Sequence, residues 1–257
     1  MRMAIGGIYM TSTVEKVSFW GISGAFFVAS AAVTIVWCAS MAEMGGMEMP
    51  GGWTMSMAWM RMPGQTWLGA AATFLGMWFV MMVAMMLPSL VPMLWRYREA
   101  VGALGTAVVS AGYFFIWTLF GVAAFPVGIA LAEMEMRYPA VARAVPIGVG
   151  VVVLIAGLVQ LSAWKARQLG CCREAPSMMP VDMGTAWRHG VRLGLHCSSC
   201  CAGLMAILLV IGVMDLRAML VVGAAISVER LAPAGERVAR VVGVLVIGVG
   251  VFLIARA

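Results

Sequence analysis

Apolar runs, most of them near the roughly twenty residues that cross a bilayer as helix and the later ones shorter, recur along almost the whole chain, and they leave few folds open. They cover residues 17–39, 67–95, 106–131, 146–164, 197–214, 218–231 and 241–255, and the polar stretches between them are too short for a separate soluble domain. With 63% hydrophobic and 11% charged residues in 257, and a mean hydropathy of +0.99, the composition departs from that of a water-soluble globule. The expected fold is all-α: a polytopic transmembrane helix bundle of about seven spans, forming one integral membrane domain over residues 1–257. The first run exceeds the roughly 7–15 residues of a signal-peptide core and reads as an uncleaved first helix.

The net charge of +6 reads as topology, and no nucleic-acid partner is expected. Seven alternating spans with a cytoplasmic N-terminus put Arg2, Lys16, Arg96, Arg98, Lys165, Arg167, Arg173, Arg188, Arg192, Arg230, Arg237 and Arg240 inside. Only Arg61, Arg137, Arg143, Arg217 and Arg256 then fall outside, as the positive-inside rule requires. The implied location is a bacterial inner membrane, multi-pass, with the lipid bilayer as one partner. Two connecting segments stand out. Residues 41–65 form a Met-rich external loop, and residues 165–196 a basic cytoplasmic loop, including Glu174, whose part 185–195 is expected to be an interfacial helix.

Sulfur is the distinctive chemistry, with 25 Met and 6 Cys against 2 His. Thioether and thiolate sulfur are soft donors that favour copper(I) over hard cations. The external loop carries Met41, Met44, Met47, Met49, Met55, Met57, Met60 and Met62 among flexible glycines. An exposed loop gives eight Met no core to fill, which favours metal capture. In the second span, Met77, Met81 and Met85 stack at i, i+4 and i+8, and Met82 and Met86 form a parallel row. That ladder reads equally as a relay for a soft ion or as adaptable packing.

The sharpest cluster is His196-Cys197-Ser198-Ser199-Cys200-Cys201, read as lying at the cytoplasmic mouth of the fifth span. On a helix Cys197 and Cys201 share a face, Met205 extends it by a turn, and Cys200 sits beside it. The second CxxC or His pair of a zinc finger is absent, so any further ligand comes from Cys171, Cys172, His189 or the Met ladder. A disulfide or inert buried thiols are the alternatives, the former disfavoured in the cytoplasm. Cys38, alone in the first span, reads as packing. Glu229 sits near the inner end of the sixth span, where an unpaired carboxylate is costly. It either compensates a bound cation, orients His196, or pairs with Arg230 or Arg192.

The candidate metal-binding set is therefore Cys197, Cys200, Cys201, His196, Met81, Met82, Met85, Met86, Met205, Glu229 and His189, with copper(I) the expected ion. Two His argue against haem, and no P-loop or phosphorylated-Asp motif calls for a nucleotide. No catalytic residue is assigned, and copper handling or transfer within the membrane is the leading expectation. The rivals are a thiol-redox or electron-transfer component, and an accessory subunit of a larger complex. The aromatic run Tyr113, Phe114, Phe115, Trp117 and Phe120 suits packing against a periplasmic or membrane protein partner.

Three stretches occur in order: Met77-Trp78 through Met85-Met86-Leu87-Pro88-Ser89, then Trp187-Arg188-His189-Gly190 through Cys197-Ser198-Ser199-Cys200-Cys201 and Leu204-Met205, then Gly212-Val213-Met214 with Glu229-Arg230-Leu231-Ala232-Pro233. Together they resemble a bacterial family of predicted metal-binding integral membrane proteins, domain of unknown function family 2182. Ala202 stands where that family tends to have Trp, and Arg230 where it prefers Lys; neither departure removes a candidate ligand. The resemblance implies a membrane-embedded fold and metal binding, without a defined reaction.

Overall fold

The computed structural model describes residues 2–62, 64–173 and 182–257, with side chains from Thr13 onward other than that of Arg173. Residues 174–181, Glu174 among them, and the side chains of Arg2 and Arg173 lie outside the described residues. The described chain is an all-α bundle of α1 (Arg2–Glu43), α2 (Trp67–Arg137), α3 (Pro139–Gln160), α4 (Ala163–Arg173), α5 (Met183–Ile211), α6 (Leu216–Leu231) and α7 (Gly235–Arg256). Within α1 the stretch Thr13–Glu43, together with α2, α3, α5 and α7, is long and apolar enough to cross a membrane.

Two of the runs read from sequence belong to α2. At Gly102 the backbone takes φ 72° and ψ −170°, a conformation that suits glycine because it has no Cβ. Residues 67–101 and 103–137 fold back on each other there. Phe74 meets Phe125, the Trp78 indole N–H donates to the Trp117 carbonyl at 2.8 Å, and Phe79 meets Phe114. Partner numbers fall along one arm as they rise along the other, so the arms are antiparallel. α1 runs antiparallel to the first arm in turn, through Phe19 on Trp95 and Trp37 on Gly76. α3 and α7 meet along Gly150, Gly157, Gly243 and Gly250, where the missing side chains let the backbones approach.

The segment 165–196 differs from the expected loop with an interfacial helix. Its first part belongs to α4, which buries Lys165, Leu169 and Cys172 in the bundle. Residues 185–195 continue without a break into the apolar part of α5. Asp182 starts that helix by accepting from the Thr185 N–H at 2.6 Å, which holds its carboxyl below the usual carboxylate range. Cys197 consequently lies about four turns inside α5 and not at its mouth. Sequence pattern alone reads Arg188 and Arg192 as a surface face, whereas the opposite face of the same turns carries Gly190 and Gly194 against α2.

The Met-rich segment 41–65 also has more structure than its composition suggests. Strands β1 (Met47–Met49) and β2 (Trp53–Met55) pair antiparallel, with Met47 opposite Met55 and Met49 opposite Trp53. Pro50, Gly51 and Gly52 turn the chain between them. Met49 and Met55 are buried in a small core with Ala132 and Ala142, and the Trp53 indole N–H donates to the Ala142 carbonyl at 2.8 Å. The expectation that none of the eight loop methionines has a core to fill is thus wrong for these two.

Candidate metal centre

Close helix approach builds the site. The second arm of α2 and α5 run parallel and nearly touch. A Cβ on Gly190 would collide with the Val109 carbonyl, and one on Gly194 would sit 2.9 Å from the Tyr113 carbonyl. This approach carries Tyr113 to Cys197, with the phenol oxygen 2.9 Å from Sγ. Alanine at Gly190 is therefore expected to destabilise the protein by about 1–3 kcal/mol, as overpacking does. Thermal unfolding in detergent micelles measures it, and wild-type melting would show that the two helices separate freely.

Four thiols adjoin around that contact. Cys197 and Cys201, one turn apart on α5, have Sγ atoms 4.0 Å from each other. Cys200 precedes Cys201 on α5, and Cys172 of α4 is buried in the same core as all three. All four are buried and none is in a disulfide, whereas Cys171 is exposed. Among the described residues no three His, Cys, Asp or Glu side chains form a group that could hold an ion. A pair of thiols is a different matter. Two metal–thiolate bonds of about 2.3 Å laid end to end span roughly 4.6 Å, a little more than the Cys197–Cys201 separation. An ion bound to both with such bonds would sit off the line between them, and thiolate sulfur suits a soft ion such as Cu(I).

Arg230 closes one side of the pair. Its Nη1 donates to Ser89 Oγ at 2.9 Å and to Cys197 Sγ at 3.2 Å, and reaches the Tyr113 oxygen at 3.5 Å. Among the described residues no carboxylate lies within ion-pair distance of this buried guanidinium. A buried cation needs anionic or strongly accepting neighbours, and here, beyond the Ser89 hydroxyl, the nearest group able to carry a negative charge is the Cys197 thiol. Ser89 follows Met77, Met81 and Met85 at the same four-residue spacing on α2. Met81, Met82, Met85 and Met86 are all buried, in one core with Cys172, Cys197, Cys200, Cys201 and Met205, and Met85 packs beside Gly223 of α6.

Glu229 uses both carboxylate oxygens on partners other than those expected. Lys165 Nζ donates to Oε2 at 2.6 Å and Gln160 Nε2 to Oε1 at 2.5 Å. Lys165 also donates to the Cys200 carbonyl at 2.8 Å, so the ion pair ties α4 and α6 to the thiol-bearing turn of α5. Pairing of Glu229 with Arg230, Arg192 or His196 is not what the structure has. His196 Nδ1 lies 3.3 Å from Gln168 Oε1, one turn before Cys200, and His189 Nδ1 lies 3.5 Å from the Tyr97 hydroxyl. Neither ring is hydrogen-bonded to Cys197 or Cys201. Tyr113, Ser89 and Lys165 were not singled out as site residues from sequence, although a lysine closing an apolar run is a usable signal for a buried partner.

Residues 75–253 match the model of a family described as PpoB2, copper chaperone. No curated protein and no solved structure matches the chain.

Proposed function

The chain belongs to the PpoB2 copper-chaperone family, and from that premise we propose that it is a membrane-embedded copper(I) carrier whose cargo sits between the Cys197 and Cys201 thiolates. Cys200 and Cys172 stand next to that pair as further sulfur donors, and Met205 extends the same face of α5. The external methionine segment takes up the ion on the opposite side of the bundle. The buried row Met77, Met81 and Met85, with Met82 and Met86 beside it, links the two regions over about 18 Å from Met77 to Ser89. Glu229 acts through Lys165, whose ammonium fixes the backbone at Cys200, and His196, with its ring on Gln168, stands outside the pair.

The observation that carries this reading is the placement of Arg230 on a close thiol pair. Copper(I) held by two thiolates has a net charge of −1, and one permanently charged guanidinium balances it. A divalent ion on the same two sulfurs would leave the complex neutral and Arg230 without a counter-charge, a costly state for a buried ion. The arrangement therefore favours a monovalent soft ion.

Loading the purified full chain with Cu(I) and recording X-ray absorption tests the proposal. A copper-bearing protein with sulfur neighbours alone is expected; absence of bound copper, or a shell dominated by nitrogen and oxygen, would sink it. In the same titration against a Cu(I) chelator, Arg230→Gln is expected to weaken affinity about 10–100-fold, the usual cost of losing a group that supports a metal ligand. Arg230→Lys should recover part of the loss, because charge remains while the planar set of donors does not.

A further inference from the structure

At the other end of the Met row lies a cavity of about 250 Å³ between α1, the external segment, the start of α2 and the turn after α5. Seven methionines line it: Met41 and Met44 from α1 and the turn after it, Met57, Met60 and Met62 from the external segment, Met77 from α2, and Met214 from the α5–α6 turn. Among the described residues the remaining lining is aromatic, small or neutral polar, with no carboxylate, imidazole, lysine or arginine. Methionine is flexible enough to fill irregular gaps in a core. Here seven of them surround a space large enough for several water molecules and leave it open. Behind Met214 stands the buried thiol of Cys38, whose Sγ lies 4.0 Å from the Met214 Sδ. The thiol of the first span thus touches the lining of this cavity.

We propose that this cavity is a second, separate metal site, a thioether chamber that takes a monovalent soft ion, Cu(I) or Ag(I), without help from the thiol pair. Neutral thioethers hold soft monovalent ions and offer little to Zn(II) or Mg(II), which want nitrogen, thiolate or oxygen. Because the chamber contributes no negative charge of its own, it holds the ion loosely enough to release it. Met77 belongs both to the chamber and to the buried row on α2, which gives an ion a continuous sulfur surface toward Ser89 and Arg230. Cys38 serves as an inner donor reached through Met214. The inference rests on the copper reading for its biological sense, but the chamber's binding chemistry stands apart from the thiol pair.

Ag(I), a redox-inert stand-in for Cu(I), is the probe. The full chain carrying Cys172→Ser, Cys197→Ser, Cys200→Ser and Cys201→Ser, labelled with 13C at the methionine methyls, is titrated in micelles. Met41, Met60, Met77 and Met214 methyl signals, assigned by single Met→Leu variants, are expected to shift with Ag(I) and not with Zn(II). Met82 and Met86, deep in the core, are expected to stay in place at low Ag(I). Combining Met60→Leu, Met77→Leu and Met214→Leu should lower Ag(I) affinity at least about tenfold. The same titration on the wild type covers the case in which the four-serine chain does not fold. Chamber methyls that never move in a wild type whose thiols bind Ag(I) overturn the chamber and leave the thiol site standing. Chamber methyls that move while the thiols bind nothing uphold the chamber and overturn the thiol site.

Discussion

Serine at both Cys197 and Cys201 is expected to weaken Cu(I) binding at least about a hundredfold, a loss of roughly 2.7 kcal/mol or more. Two soft donors become hydroxyls, which Cu(I) binds poorly, and one of them, Cys197, is the thiol to which Arg230 donates. The fold should survive. Serine keeps an acceptor for the Tyr113 hydroxyl and the Arg230 guanidinium, both of which now meet the Cys197 sulfur, and it is smaller than the thiol it replaces. The contrast is with the imidazoles. His196→Ala and His189→Ala should each change affinity by less than about tenfold, since their rings meet Gln168 and Tyr97. Competitive titration with a Cu(I) chelator reads all three variants. Binding unchanged in the double serine chain, or abolished in His196→Ala, would place the ion elsewhere.

What the sequence discloses and what it hides separates along one line, the distance in the chain over which a contact forms. The grouping of Cys197, Cys200 and Cys201 follows from helical spacing on α5, and the burial of Met81, Met82, Met85 and Met86 fits their place in an apolar run. Cys172 belongs with the same thiols but lies in a polar stretch that reads as a loop, and only the folding of α4 into the bundle brings it there. Glu229 shows from sequence alone that a charged partner is needed. Arg230 and Arg192 are the obvious candidates by depth, yet the partner is Lys165, 64 residues away. The glycines of α5 carry the same lesson. Gly190 and Gly194 look like weak points in a helix, whereas in the bundle they permit the approach that sets Tyr113 against Cys197.

The Lys165–Glu229 pair should be the costliest single element to break. Both side chains are almost wholly buried, at 1% and 2% exposure. Removing one partner of such a pair strands the other charge without water or counter-ion, at a typical cost of about 3–5 kcal/mol. Glu229→Gln keeps the shape and the hydrogen bond available to Gln160 while leaving the Lys165 ammonium unbalanced, so it is expected to lose that much stability in micelles. Lys165→Met in the wild-type background strands the carboxylate and should be as damaging. The double variant Lys165→Met with Glu229→Gln removes both charges, and melting should return most of the way toward wild type, because a buried pair contributes little beyond what apolar groups of similar volume supply. Its copper affinity should nonetheless stay lower than that of the wild type, since the Lys165 hydrogen bond to the Cys200 carbonyl is gone. Recovery of stability without recovery of copper binding is the signature of a pair that both holds α4 and α6 together and sets the thiol-bearing turn. A double variant as unstable as either single one would mean that the two charges do not act as a unit.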